Sequence, residues 1–259
     1  MKGKIMSYDH TTKIFSYYDE NLKFLKMQRK LKPTTPFYFF RDGEYCVSIG
    51  DIEKGNKAYS NINITKFPSF ERKPIHQYGP TIICDQKRII AREPGGDYFY
   101  SEKTGWVYVL NMAEYRIMAF DLNGKMVKQI KVKTKKIKIS HEEQFKYIED
   151  YLTNWGVRNH YKFCEIVQPA SLMVPFEKGF VVIRRIDWRR HNESGFADGD
   201  LFDYHLNLLG KVKIPEFYRC YYIHTMIPSP HTSCYFNGYF YLVKETDEDY
   251  ILEKWKVTE

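Results

Sequence analysis

The 259-residue chain lacks most of the patterns that announce a particular chemistry. It contains no Cys-x-x-Cys pair. Its five cysteines (Cys46, Cys84, Cys164, Cys220 and Cys234) are scattered and odd in number, which excludes a zinc ribbon and a disulfide framework. They read as buried free thiols of a reducing compartment. The eight histidines form neither His-x-His nor His-Glu-x-x-His, so zinc-hydrolase motifs are absent. Gly-x-Ser-x-Gly and Walker loops are missing too. The run Arg92-Glu-Pro-Gly-Gly96 has two glycines but opens no helical pattern, so it is not a phosphate cradle. No run of about 18 apolar residues occurs, which excludes a transmembrane helix. The first fifteen residues, MKGKIMSYDHTTKIF, hold no hydrophobic signal core. Taken as given, the chain is expected in the cytoplasm; a natural start upstream of Met1 would change that expectation to export. With 15 glycines and 11 prolines, it is neither collagen-like nor of low complexity.

What is present suits strands. Aromatics make up 17% of the chain, chiefly 22 Tyr and 18 Phe. The net charge is +8, and the densest basic stretch runs from Lys125 to Lys138. Its lysines alternate with Val, Ile and Met. Period-two alternation reads as a strand with one wet, charged face, and such lysines also block edge-to-edge pairing. No zinc finger, helix-turn-helix or RNA-binding motif accompanies it, so nucleic acid is not expected as a partner.

One pattern recurs along the chain: strand, polar turn, strand ending in an aromatic, turn with Asp, Asn or Gly, Lys-rich strand. The clearest copy is Trp106 to Val132. There, strands near Val107–Leu110, Arg116–Phe120 and Met126–Val132 flank a tight turn at Asp121-Leu-Asn-Gly124. Weaker copies cover 4–31, 37–78 (with a polar insert in its middle), 171–214 and 222–257. The residue closing the third strand is followed through Tyr18, Phe67, Phe120, Tyr204 and Ile251. The steps are about 50 residues, except one of about 84. That long step holds Ser140 to Tyr161, where Ser140 and Glu143 form a capping box and Phe145, Ile148 and Leu152 share a helical face. One amphipathic helix is expected near 140–155, within an insertion of about 140–161. Four-stranded antiparallel units at this period are the signature of β-propeller blades. The expected architecture is one all-β propeller domain over residues 1–259.

The central copy, VYVLNMAEYRIMAFDLNGKMVKQI, resembles the NHL-type blade through Val107-Tyr-Val109, Asn111, Arg116-Ile117, Phe120-Asp121 and Gly124-Lys125. The chain departs from that pattern at Leu110, where the family has Asp, and at Leu208, where it has Gly. More widely it resembles bacterial six-bladed propeller proteins of unassigned function. The resemblance implies six blades. The repeats show about five, with the first unit lacking an innermost strand and the last an outermost one. A six-bladed ring short of an N-terminal blade, an open array with edges covered by self-association or a second chain, and a five-bladed ring all fit this count.

A propeller binds at its channel mouth, through loops. The expected role is a non-catalytic binding module for a protein or small molecule, with no cofactor and no metal. Gluconolactonase-like six-bladed hydrolases imply an alternative, a divalent cation held by carboxylates. Glu93, Asp97, Asp187 and Asp198 are the candidates, though their spacing does not match that family's ligands. His224 and His231 flank a Pro-rich turn and read as structural. The favoured site is Trp188, Arg189, Arg190 and His191, which follow a strand and open a polar loop to Gly199. Trp beside Arg is a mixture enriched in recognition surfaces.

Overall fold

The computed structural model describes residues 4–9, 14–19, 21–29, 37–41, 44–54, 57–67, 69, 71–82, 96–135, 137–138, 166–167, 169–184, 196–215, 233–236, 239–245 and 250–256. Every regular element among them is a strand. Three complete four-stranded antiparallel sheets form the middle of the chain. Sheet II runs β4 (Phe37–Phe40), β5 (Tyr45–Lys54), β6 (Lys57–Lys66) and β7 (Glu71–Ile82). Sheet III runs β8 (Gly96–Ser101), β9 (Trp106–Asn111), β10 (Arg116–Phe120) and β11 (Met126–Lys131). Sheet IV runs β14 (Ala170–Pro175), β15 (Gly179–Arg184), β16 (Phe196–Asp203) and β17 (Leu208–Pro215). Each is a meander in which sequence neighbours pair.

Sheet I precedes them with β1 (Lys4–Asp9), β2 (Ile14–Asp19) and β3 (Phe24–Arg29). Sheet V follows with β18 (Ser233–Phe236), β19 (Tyr239–Glu245) and β20 (Tyr250–Lys256). Both are three-stranded among the described residues. A two-stranded ladder, β12 (Ile137–Lys138) with β13 (Ile166–Val167), closes the neck of the 139–165 insertion. The helix expected near 140–155 lies outside the described residues.

Alternation explains why the sheets stack. In sheet III, Phe99, Tyr108, Leu110, Ile117 and Ala119 point one way and pack on Ala170, Met173, Phe180, Val182 and Phe202 of sheet IV. Tyr100, Val107, Val109, Met118 and Phe120 point the other way and meet Phe40, Val47, Ile62, Ile64 and Tyr78 of sheet II. A period-two strand buried on both faces belongs to a middle layer. The first strands of sheets III and IV lie side by side, where the backbone N–H of Met173 donates to the Asp97 carboxylate at 2.6 Å. Face-packed four-stranded meanders, each with its first strand innermost, are propeller blades.

One turn is repeated almost atom for atom. The Asp19, Asp121 and Asp203 side chains each accept two backbone N–H groups, from the residues two and four positions on. The fourth residue of the turn is left-handed in every copy: Leu22 at φ 62°, Gly124 at 80° and Leu206 at 62°. Three points of the sequence reading are therefore corrected. The position that Gly124 holds is occupied in sheet IV by Leu206, not Leu208. The aromatic closing that third strand is Phe202, which precedes Asp203 as Phe120 precedes Asp121, not Tyr204. The polar stretch inside the second unit is no insert, because β5 and β6 pair continuously to Lys54↔Lys57. The basic stretch also behaves differently from a one-faced strand. It is a strand only over Met126–Lys131 and again at 137–138, and nearly all of β11 is exposed because it is the outermost strand.

Leu206 accepts its left-handed backbone because its side chain is buried in the core between sheets III and IV. Leu22 has no such compensation and is 67% exposed. A left-handed conformation costs a non-glycine residue about 1–2 kcal/mol. Leu22→Gly should therefore raise stability by about 1 kcal/mol, read from urea unfolding. Leu206→Gly should lower it.

Candidate functional site

Strand directions alternate, so the connections of sheets II to IV sort onto two edges. One edge, here the lower, carries the first-to-second and third-to-fourth turns: 41–44, 67–70, 102–105, 121–125, 176–178 and 203–207. They are short and tied together. The Tyr108 hydroxyl contacts Thr104 Oγ1 at 3.1 Å and donates to the Tyr204 carbonyl, and the Lys103 ammonium reaches the Glu177 carbonyl. The upper edge carries the connections 83–95, 139–165 and 185–195, and β17 leaves from it into 216–232. The short connections there are Met112–Tyr115 and the two-residue link between Lys54 and Lys57. The favoured residues Trp188, Arg189, Arg190 and His191 sit on the 185–195 connection and lie outside the described residues. Glu93, Asp187, His224 and His231 also lie outside the described residues.

Three polar clusters underlie that edge. The first is Tyr115, Asp200 and Arg184. Asp200 lies within β16 and is 0% exposed. Its Oδ2 accepts a bond from the Tyr115 hydroxyl across the sheet III–IV interface at 2.5 Å and one from Arg184 Nε at 2.7 Å. A buried carboxylate requires such partners. Oδ1 has none. Tyr115 reaches Asp200 from a left-handed backbone at φ 46°, an uncommon conformation for a tyrosine. Burial first, then the Asp200 carboxylate, pushes the Tyr115 phenol well above its ordinary range. The bond to Asp200 raises the Arg184 guanidinium further. Arg184 is the last residue of β15, so it stands at the foot of the 185–195 connection.

The second cluster ties innermost strands. Asp97 Oδ1 accepts from the Tyr98 N–H at 2.8 Å, while Oδ2 accepts from Met173 N–H. Met173 sits on the free edge of β14, and the carboxylate satisfies an edge group that no strand pairs. Burial pushes the Asp97 carboxyl up to about 6 against the pull of these two bonds. Beside it, Tyr78 of β7 donates its hydroxyl to the Leu110 carbonyl at 2.9 Å.

The third is His76, Arg116 and Glu114. Arg116 pairs with Glu114 at 2.6 Å, and His76 stacks edge-on to Tyr78. Burial and the neighbouring Arg116 charge lower the His76 imidazole to about 4, with Glu114 opposing. A base whose folded pKa lies below its unfolded value of 6.5 contributes stability above pH 6.5. That stability is lost as pH falls through 4. Asp97 acts oppositely over an overlapping range, so a variant comparison is needed. Between pH 7 and pH 4.5, the wild type should lose about 2 kcal/mol more than His76→Gln, measured by urea unfolding at each pH.

Of the four carboxylates proposed as metal candidates, the two described do not converge. Asp97 lies on the innermost strand with both oxygens bonded to backbone. Asp198 lies on β16, exposed, 4.0 Å from Lys213 Nζ. No group of three His, Cys, Asp or Glu side chains with metal-binding geometry occurs among the described residues. No helix among them is long and apolar enough to cross a membrane. Cys46 is a buried free thiol, as the sequence suggested, and burial pushes it up to about 12.

Neither a family model nor a curated protein sequence matches the chain. Solved structures do. A member of the DUF4221 family from Bacteroides vulgatus superposes with a TM-score of 0.51 at 12% identity, covering 98% of this chain and 74% of that one. The β-propeller domain of the trilobed protease from Pyrococcus furiosus, described as having an open velcro topology, gives 0.41 at 8% identity over 97% and 77%. The Cps50 (Swd1) β-propeller domain from Myceliophteria thermophila gives 0.36 at 6% over 99% and 84%. The protein is an all-β propeller.

Proposed function

We propose that this propeller is a non-catalytic binding module of NHL-like, six-bladed type whose ligand docks on the upper edge. One observation carries the reading: the strands that the long connections join begin and end at that edge, while the lower edge carries short turns bonded to one another. Loops on a rigid scaffold are the usual bearers of recognition. Trp188, Arg189, Arg190 and His191 on the 185–195 connection are the proposed contact residues. The cytoplasm remains the proposed compartment. The hydrolase alternative gains no support from Asp97, whose oxygens are already committed.

Photo-crosslinking side chains introduced at position 191 and, as a control, at position 123 on the lower edge test this reading in cells. Capture is expected from position 191, and it should vanish when Trp188, Arg189 and Arg190 are all alanine. Equal capture from both positions would overturn the reading. So would one equivalent of tightly bound metal after dialysis against Ca²⁺, Mn²⁺ and Zn²⁺, which would turn attention to hydrolysis.

A further inference from the structure

We propose that the outer lower rim of sheets III and IV is a docking surface for an anionic lipid bilayer, on which the protein lies by exposed apolar side chains set among lysines. The repeated aspartate turn builds this surface. In sheets I, III and IV the fifth and sixth residues after the turn aspartate open the next strand, and all of them are apolar: Phe24-Leu25, Met126-Val127 and Leu208-Leu209. Consecutive strand residues point to opposite faces, so a flanking blade should cover one of each pair. Neither is covered. Met126 and Val127 are 46% and 45% exposed, and Leu208 and Leu209 are both 56% exposed. On sheet I, Phe24 and Leu25 are exposed to the same degree. Sheet II differs: its fourth strand opens with Glu71, Arg72 and Lys73, and Glu71 pairs with Lys73 at 3.4 Å.

Tertiary packing joins two of these pairs. The Lys128 ammonium of β11 donates to the His205 carbonyl, in the turn that leads into β17, at 2.5 Å. Met126, Val127, Leu208 and Leu209 therefore share the corner where the lower edge meets the outer wall. Around them stand Lys125, Lys128, Lys131, Lys211 and Lys213, all exposed, while β11 and β17 carry no carboxylate. Asp198 of β16, at 4.0 Å from Lys213, offsets one of these charges. The Asp121 and Asp203 carboxylates are taken up by backbone N–H groups of their own turns. A second copy of the chain would cover the apolar side chains but would set lysine against lysine. An anionic bilayer answers both features, because its interface takes apolar side chains and its headgroups attract lysines. Its flatness also fits, since equivalent positions of radially repeated blades lie at one height about the axis. Docking by the lower rim leaves the upper edge turned away from the lipid, and it stands whether or not that edge binds a ligand.

Flotation of the full chain with phosphatidylcholine vesicles containing roughly one-third phosphatidylserine, against vesicles of phosphatidylcholine alone, tests the inference. Binding is expected to the anionic vesicles only, and to fall as salt rises. Lys125→Ala with Lys211→Ala should weaken it about twentyfold, at about fivefold for each charge. Met126→Ser, Val127→Ser, Leu208→Ser and Leu209→Ser together should weaken it about tenfold or more, with the circular dichroism spectrum kept. Ile251→Ser with Leu252→Ser, an exposed apolar pair on sheet V, should leave binding unchanged. Equal binding to neutral and anionic vesicles overturns the inference, as does no binding to either. An equal loss in the sheet V pair overturns the assignment to this rim. An acidic protein that binds through Met126 and Leu208, while the vesicles do not bind, overturns the bilayer as the partner.

Discussion

Gly96→Ala is expected to destabilise the protein by about 4 kcal/mol and to loosen the contact between sheets II and III. A Cβ at Gly96 would stand 1.6 Å from the Tyr78 hydroxyl oxygen, 2.1 Å from its Cζ and 2.6 Å from the Leu110 carbonyl oxygen. The Tyr78 ring is buried between the two sheets and cannot simply swing aside. Displacing it breaks the bond that its hydroxyl donates to the Leu110 carbonyl. Both steric overpacking and the lost hydrogen bond therefore contribute. Chemical denaturation gives the magnitude. Adding Tyr78→Leu withdraws the colliding hydroxyl and Cζ and should recover part of the loss, with a coupling of at least about 1 kcal/mol. Strict additivity of the two substitutions would show that the ring is not what Gly96 accommodates.

Asp200→Ala should cost about 2–3 kcal/mol. It strips Arg184 of its partner and strands the Tyr115 hydroxyl inside the interface between sheets III and IV. The cost falls mainly on the buried Tyr115 hydroxyl, which loses its partner, because the Arg184 side chain is 36% exposed and is still reached by water. Replacing both charged groups is milder. The double change Arg184→Met with Asp200→Asn should therefore lie within about 1–2 kcal/mol of wild type, since Asn still offers Tyr115 a partner. Urea midpoints of the single and double variants decide this. A double variant as unstable as Asp200→Ala would mean that the backbone of β16, and not the charge pair, sets the cost.

The elements that were legible in the sequence are those whose signals are local. Alternation in VYVLN and RIMAF needs only neighbouring residues, and it marked β9 and β10. The turn at Asp121 to Gly124 was also visible, because an Asp side chain bonding its own downstream N–H groups is local chemistry. Where the glycine was replaced, that signal failed by two residues. Leu206 holds a left-handed backbone only because sheet III gives its side chain a buried place, and nothing in LNLLG shows this. The hairpin of β5 and β6 was hidden for a related reason. Its far half is polar, and polar strands look like loops until pairing is seen. Gly96 stood out only as one of two glycines in a run that makes no phosphate cradle, whereas its missing Cβ leaves the space that the Tyr78 ring occupies.

By itself, then, the sequence determined a repeated antiparallel sheet with aromatic cores and aspartate turns. These are set by side-chain period and by bonds spanning fewer than five residues. The tertiary structure alone decided which face of each sheet meets which neighbour, and it brought Tyr115, Asp200 and Arg184 together from 85 and 16 residues apart. It also decided that the long connections share one edge. Those outcomes depend on how separate blades stack, and stacking selects partners by shape and buried charge across distances that no local pattern records.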